Sequence, residues 1–63
     1  MSPRAGLQQV IGELREVFDD RELAEWFATP NCWLGGGAPA VRLASEPLAV
    51  IDAARADRFV AAG

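Results

Sequence analysis

The sequence predicts a small all-α domain of four helices, in which two longer helices flank short helices and a glycine-rich loop. Apolar residues recur at helical spacing in the first third of the chain. Proline stands at two later positions where the first turn of a helix is expected, and no alternating run is long enough to propose a strand. The length of 63 residues, of which 51% are hydrophobic and 24% charged, fits a single folded domain over residues 1–63.

The first two helices are predicted from apolar spacing and from a capping motif. The first covers residues 7–18, and its apolar positions share one face of the helix: Leu7, Val10, Ile11, Leu14, Val17 and Phe18. The second covers roughly residues 20–28, because Asp19 can form a capping box with Glu22. Its inward side carries Leu23, Trp26 and Phe27.

The last two helices follow a loop over residues 31–38. Pro39 is suited to the first position of a short third helix that is expected to end near Ala44. Ser45 or Glu46 is expected to cap the fourth helix, which carries Pro47 in its first turn and runs on through residue 62.

The fourth helix is apolar on two sides. On a helical wheel, Leu48, Ile51 and Phe59 share one side, and Val50 and Val60 lie opposite. A helix of so small a domain has one core to face, so the second apolar side favours contact with another chain. Isolated alanines and valines are also ordinary on a protein surface, and this simpler interpretation stays open.

The composition argues against catalysis. Histidine, tyrosine and lysine are absent, which removes an imidazole base, a Schiff-base amine and the lysine of a phosphate-binding loop. Cys32 has no histidine to activate it, and beside Trp33 we expect it to pack half-buried. We interpret the glycines at 35–37 as a flexible connector. The prediction is therefore a protein that is not an enzyme and has no cofactor, metal or small-molecule substrate.

Charge and hydropathy restrict the partners and the compartment. The net charge is −3 and the six arginines form no cluster, so direct binding to nucleic acid is disfavoured. No stretch approaches the roughly 20 apolar residues of a membrane span. Residues 1–4 lead into an amphipathic segment and not into a signal peptide, so the expected compartment is the cytoplasm.

The middle of the chain carries a motif in which residues of different chemical types stand at fixed offsets: Trp26, Thr29, Pro30, Asn31, Leu34, Gly35, Gly36, Pro39 and Leu43. The motif resembles the C-terminal toxin-binding domain of bacterial antitoxins of the Xre/MbcA/ParS type, without a gap over residues 26–43. The resemblance implies an all-helical, non-enzymatic antitoxin that binds a RES-domain toxin and covers its NAD-degrading active site. In these antitoxins the domain usually follows a helix-turn-helix domain, which residues 1–63 do not contain.

The motif also has a physical interpretation. Trp26 is expected to plug the core between the first, second and fourth helices, and Pro30 with Asn31 to start a turn. Leu34 is expected to hold the loop on the core, while the glycines let the chain reverse before Pro39.

The sequence departs from the family pattern at two places. Ala38 stands where the family often has threonine or serine, so the third helix is expected to fray without that cap. Cys32 and Trp33 replace small or proline residues, a change that we expect to tune partner choice.

Six residues are candidates for the toxin interface: Trp33, Arg55, Arg58, Phe59, Val60 and Gly63. The two arginines could bond to acidic groups of a toxin or be solvated, and Phe59 could equally belong to the core. The main alternative function is a self-associating adaptor that forms a homodimer through the first and fourth helices. A DNA-binding regulator is weaker, because no helix carries clustered basic residues.

Overall fold

Four α-helices joined by short connections form the fold in the computed structural model, which describes residues 3–63. The helices are α1 (Pro3–Leu14), α2 (Asp20–Ala28), α3 (Pro39–Arg42) and α4 (Pro47–Ala62). A single 3-10 turn, which the sequence did not predict, lies at Cys32–Leu34. No strand occurs over residues 3–63, and the all-α prediction is confirmed. Residues 1 and 2, which lead into the predicted amphipathic segment, lie outside the described residues.

α1 begins at Pro3, before the predicted start at residue 7, and ends earlier than its apolar spacing predicts. The helix stops at Leu14, whose carbonyl accepts the backbone N–H of Val17 at 3.0 Å and of Phe18 at 2.9 Å. Both of these residues are half-buried and pack against the core from the turn that follows the helix. The predicted helical continuation to residue 18 is therefore wrong, because a tight turn brings the same apolar side chains to the core.

α2 has the predicted bounds, and local hydrogen bonds define both of its ends. At its start the backbone N–H of Glu22 donates to Asp19 Oδ1 at 2.8 Å, and the backbone N–H of Asp19 donates to Glu22 Oε1 at 3.0 Å. This capping box pairs two N–H groups that a helix start would otherwise leave free. At its end Thr29 is extended, with ψ at 132°, as a residue before proline prefers.

α3 is a single turn that ends at Arg42, before the predicted limit near Ala44. Its N-cap, Ala38, provides no side-chain hydrogen bond, which agrees with the weak cap expected from the sequence. α4 has the predicted extent, with Pro47 in its first turn. Glu46 occupies the N-cap position, but its side chain makes no capping hydrogen bond.

The core lies mainly between α1 and α4, which make the most extensive contact in the fold. The loop after α2 and the end of α3 close its remaining side. The buried apolar residues are Val10, Leu14, Leu23, Leu34, Leu43, Val50, Ile51, Ala53 and Ala54. The last turn of α4 extends beyond this core. Within the described part of the chain, no helix combines the length and the apolar character that crossing a membrane requires.

Candidate functional site

Asn31 organises the loop between α2 and α3. Its backbone N–H donates to the Gly37 carbonyl at 3.0 Å, and its own carbonyl accepts the N–H groups of Leu34 and Gly36, both at 3.0 Å. Its side-chain Oδ1 accepts the backbone N–H of Trp33 at 2.9 Å. A buried amide is costly unless its polar atoms are paired. Asn31 is buried, and these bonds hold the loop in one conformation.

Two glycines reverse the chain after this turn. Gly35 and Gly36 have φ angles of 65° and 90°, in the left-handed region that favours glycine. The reversal buries Pro39 at the start of α3, together with Leu34 before it and Leu43 after it. These residues of the sequence motif therefore form a packed corner between α2 and α4.

Three side chains donate hydrogen bonds to one carboxylate on α4, that of Asp57. The indole Nε1–H of Trp26 donates to Oδ2 at 2.6 Å, and Asn31 Nδ2 donates to the same oxygen at 3.2 Å. The indole Nε1–H of Trp33 donates to Oδ1 at 3.2 Å. An ionised carboxylate offers about four lone-pair positions, enough for all three donors. Asp57 thereby ties the loop and the end of α2 to α4.

Trp26 packs against the core but is half-buried at its edge, so the expectation that it plugs the core between the first, second and fourth helices holds only in part. Its ring packs edge-to-face on Phe27, with centroids 5.2 Å apart and planes at 87°. The physical reason is the indole N–H, which needs a partner when buried and finds it in Asp57 at the boundary of the core.

Asp57 was missed by the sequence reasoning. The available signal was its position on α4, three residues after Ala54 and seven after Val50, on the face that carries the buried residues. An acidic residue on that face needs donors, and the chain has two tryptophans whose indole N–H groups can supply them.

Trp33 is 58% exposed although its indole N–H is bonded to Asp57. Cys32 beside it is exposed as well, so the expected half-buried packing of this cysteine is wrong. The 3-10 turn is the cause, because it places Leu34 in the core and leaves the two preceding side chains at the surface. Pro30 is also exposed.

A charged groove lies between α1 and the end of α4. Glu13 of α1 faces two arginines of α4: its Oε2 accepts from Arg58 Nη1 at 3.1 Å, and its Oε1 lies 3.6 Å from Arg55 Nε. These three residues, Phe59 and Ala62 line an open groove of about 460 Å³. Both predicted arginines thus stand beside the predicted phenylalanine, and each is already paired within the chain.

The last turn of α4 exposes its apolar side chains to solvent. Phe59 is 81% exposed and Val60 is 70% exposed, and residues 61–63 are exposed as well. In contrast, Val50 and Ile51 near the start of the helix are buried. The exposure of the apolar side chains of α4 therefore varies along the helix axis: Leu48 in the first turn is exposed, Val50 and Ile51 are buried, and the last turn is exposed again. Phe59 is outside the core.

The comparison with protein families identifies the domain. Residues 13–56 match the family model described as the antitoxin Xre/MbcA/ParS C-terminal toxin-binding domain, and this span includes the whole loop motif. The chain belongs to this family. No curated protein and no solved structure matches it significantly.

Membership in the antitoxin family gives the general function. The chain is a toxin-binding domain of a toxin–antitoxin system, and its partner is a toxin. The matched span covers α2, the loop corner, α3 and most of α4. Asp57 and the exposed last turn of α4 lie outside it.

Proposed function

We propose that the chain is the antitoxin module of a type II toxin–antitoxin system that binds a RES-domain, NAD-degrading toxin and neutralises it by covering the active site. In this proposal residues 1–63 are one cytoplasmic binding unit that acts by association and catalyses nothing. The toxin class follows from the sequence resemblance, and membership in the toxin-binding family supports the partnership.

The observation that carries the proposal is the exposed last turn of α4. A phenylalanine that is 81% exposed leaves a large apolar surface in water, and burying it against a partner would contribute about 2 kcal/mol. Val60 and Trp33 are exposed as well, and Gly63 follows the helix. Aromatic and apolar anchors of this kind dominate protein–protein interfaces.

The paired arginines would add polar contacts to that surface. Each guanidinium has five N–H donors, and Glu13 occupies only some of those of Arg55 and Arg58. Because Glu13 holds both side chains beside Phe59, the remaining donors can meet carboxylates of the toxin without much loss of side-chain freedom.

The test is NAD consumption by the toxin encoded beside this chain, measured while the purified chain is added in increasing ratio. We expect activity to fall to background near a stoichiometric ratio. The Val41→Ala variant is a suitable control, because Val41 is exposed on α3, a helix that carries none of the candidate interface residues. A complex without inhibition would contradict the covering of the active site, and the absence of any complex would remove the proposal.

A self-associating adaptor is the second candidate, and one observation favours it. Leu48 is 66% exposed and Phe59 is 81% exposed on the same side of α4, which could pair with the same side of a second copy. A melting temperature that rises with protein concentration in the absence of toxin would support this function. A constant melting temperature together with toxin inhibition would exclude it.

A further inference from the structure

We infer that Asp57 is a positioning residue for toxin binding: its carboxylate holds the exposed indole of Trp33 and fixes that ring beside the last turn of α4. The inference rests on the proposed function and deepens it, because it names the residue that joins two parts of the interface. The family match ends at residue 56 and does not assign this role.

The contacts place Asp57 between the two parts. Its Oδ1 accepts the indole N–H of Trp33 at 3.2 Å. On the same helix, Val60 and Ala61 follow three and four residues later, which puts them one turn further along the same face. Trp33 from the loop is thus held on the side of α4 that carries Val60 and Ala61, although these residues are distant in sequence, whereas Phe59 lines the groove toward α1.

Trp33 needs such a contact to have a defined position. The residue lies in a 3-10 turn of only three residues, directly before the two positive-φ glycines, and its ring is 58% exposed. An exposed aromatic ring without a partner changes rotamer freely and must be ordered when a complex forms. The bond to Asp57 orders the ring in the free protein, so less freedom is lost on binding.

The two carboxylate oxygens have different roles, and this makes the Asp57→Asn variant selective. Oδ2 accepts from both Trp26 and Asn31, whereas Oδ1 accepts from Trp33 alone. An asparagine has a single acceptor oxygen and an NH2 group. Its best orientation keeps the oxygen toward the two donors and turns the NH2 group toward the indole of Trp33. The variant should therefore release Trp33 and keep Trp26 in place.

The experiment compares Asp57→Asn, Trp33→Phe, the double variant and the control Asp20→Asn. Asp20 is an exposed carboxylate at the start of α2 that is not paired with a candidate interface residue, so the control makes the same change of charge. Two readouts are used: the NMR signals of the two indole N–H groups in the free protein, assigned with Trp33→Phe, and the dissociation constant for the toxin encoded beside this chain. Thermal melting shows that each variant is folded.

We expect Asp57→Asn to move the indole signal of Trp33 to that of a solvent-exposed indole and to weaken toxin binding about fivefold. The signal of Trp26 should shift because its acceptor becomes a neutral amide oxygen, but its N–H should stay hydrogen-bonded and protected from exchange with water. The double variant should bind no more weakly than Trp33→Phe, because without the indole N–H there is no bond left to lose. Asp20→Asn should bind like the wild type.

Other results would overturn the inference. An unmoved Trp33 signal in Asp57→Asn would show that the bond does not hold the ring. A moved signal with unchanged affinity would show that the position of the ring is irrelevant to binding. If Asp57→Asn weakens toxin binding equally in the wild-type and Trp33→Phe backgrounds, the effect does not act through Trp33 and belongs to the fold. If the wild type itself does not bind the toxin, the proposed function fails and the inference fails with it.

Discussion

The two ends of α4 use the same kinds of residue for different purposes. In the first part of the helix, Val50 and Ile51 are buried against the rest of the domain. In the last turn, Phe59 and Val60 are among the most exposed large apolar side chains of the described residues. Asp57 lies at the boundary and bonds to the loop. One helix therefore stabilises the fold with the buried residues that follow its exposed Leu48, and it leaves the apolar side chains of its last turn accessible to the proposed partner.

The difference shows why residue type alone could not locate the interface. A wheel describes the position of a residue around the helix axis, whereas the burial of α4 changes along that axis. Ala61 lies in the same direction as the buried Ala54, yet it is exposed because the helix has passed the core. The length of a helix relative to the core is a tertiary property.

The largest effect on stability is expected from Val50→Ala, and Val60→Ala on the same helix is its control. Val50→Ala should lower the free energy of unfolding by about 2 to 3 kcal/mol, because it removes buried methyl groups and leaves a cavity. Val60→Ala should change it by less than about 0.5 kcal/mol, because the side chain is mostly in water. Urea unfolding followed by circular dichroism measures both. Equal losses would contradict the division of the helix into two parts.

The second prediction concerns binding, with a leucine on the same helix as control. Phe59→Ala should weaken toxin binding about 30-fold, which corresponds to ~2 kcal/mol, and leave stability unchanged. Leu48→Ala also removes an exposed apolar side chain, at the start of α4, and should leave the affinity unchanged. Calorimetric titration gives both values. A comparable loss in Leu48→Ala would extend the interface along the whole helix.

Local signals predicted much of the fold. The start of α2 was predicted from the capping box of Asp19 with Glu22, and the start of α4 from the proline at position 47. Both signals depend on residues that are close in sequence. The end of α1 was wrong, because Val17 and Phe18 reach the core from a turn and spacing does not distinguish the two arrangements.

The site was less predictable than the fold. The loop motif identified the family, and that identification is confirmed. The hydrogen bonds of Asp57 join residues that are 24 to 31 positions apart in sequence, and no local pattern specifies such contacts. The candidate interface residues stay predictions, although the structure shows that Trp33, Phe59 and Val60 are accessible to a partner.

The third prediction tests how the loop corner depends on Asp57. Trp26→Phe keeps an aromatic ring beside Phe27 but removes the indole N–H that donates to Asp57 at 2.6 Å. We expect the free energy of unfolding to fall by about 1.5 kcal/mol, the usual scale for a hydrogen bond to a charged group. Trp33→Phe removes the longer and more exposed bond and should cost less, about 0.5 kcal/mol. If Trp33→Phe lowers the melting temperature more than Trp26→Phe does, the bond from Trp33 to Asp57 stabilises the loop corner more than the bond from Trp26.

A smaller effect on toxin binding than that of Phe59→Ala is expected from Arg58, which lies in the groove beside the last turn of α4. Arg58→Glu removes the bond to Glu13 at 3.1 Å and places a carboxylate near Glu13 and Glu16. Exposed ion pairs contribute little, so stability should fall by less than about 1 kcal/mol. Toxin binding should weaken about fivefold, corresponding to ~1 kcal/mol, and the loss should shrink as salt screens the charges.

Arg21→Glu is the control for this charge reversal. Arg21 is an exposed residue of α2 paired with Glu25 at 3.4 Å, and its reversal changes the net charge of the chain by the same amount. Both variants therefore alter long-range attraction to the toxin similarly, while only Arg58→Glu changes the groove. If the two variants bind equally well at every salt concentration, Arg58 makes no direct contact. The interface would then be limited to the apolar last turn of α4 and the ring of Trp33.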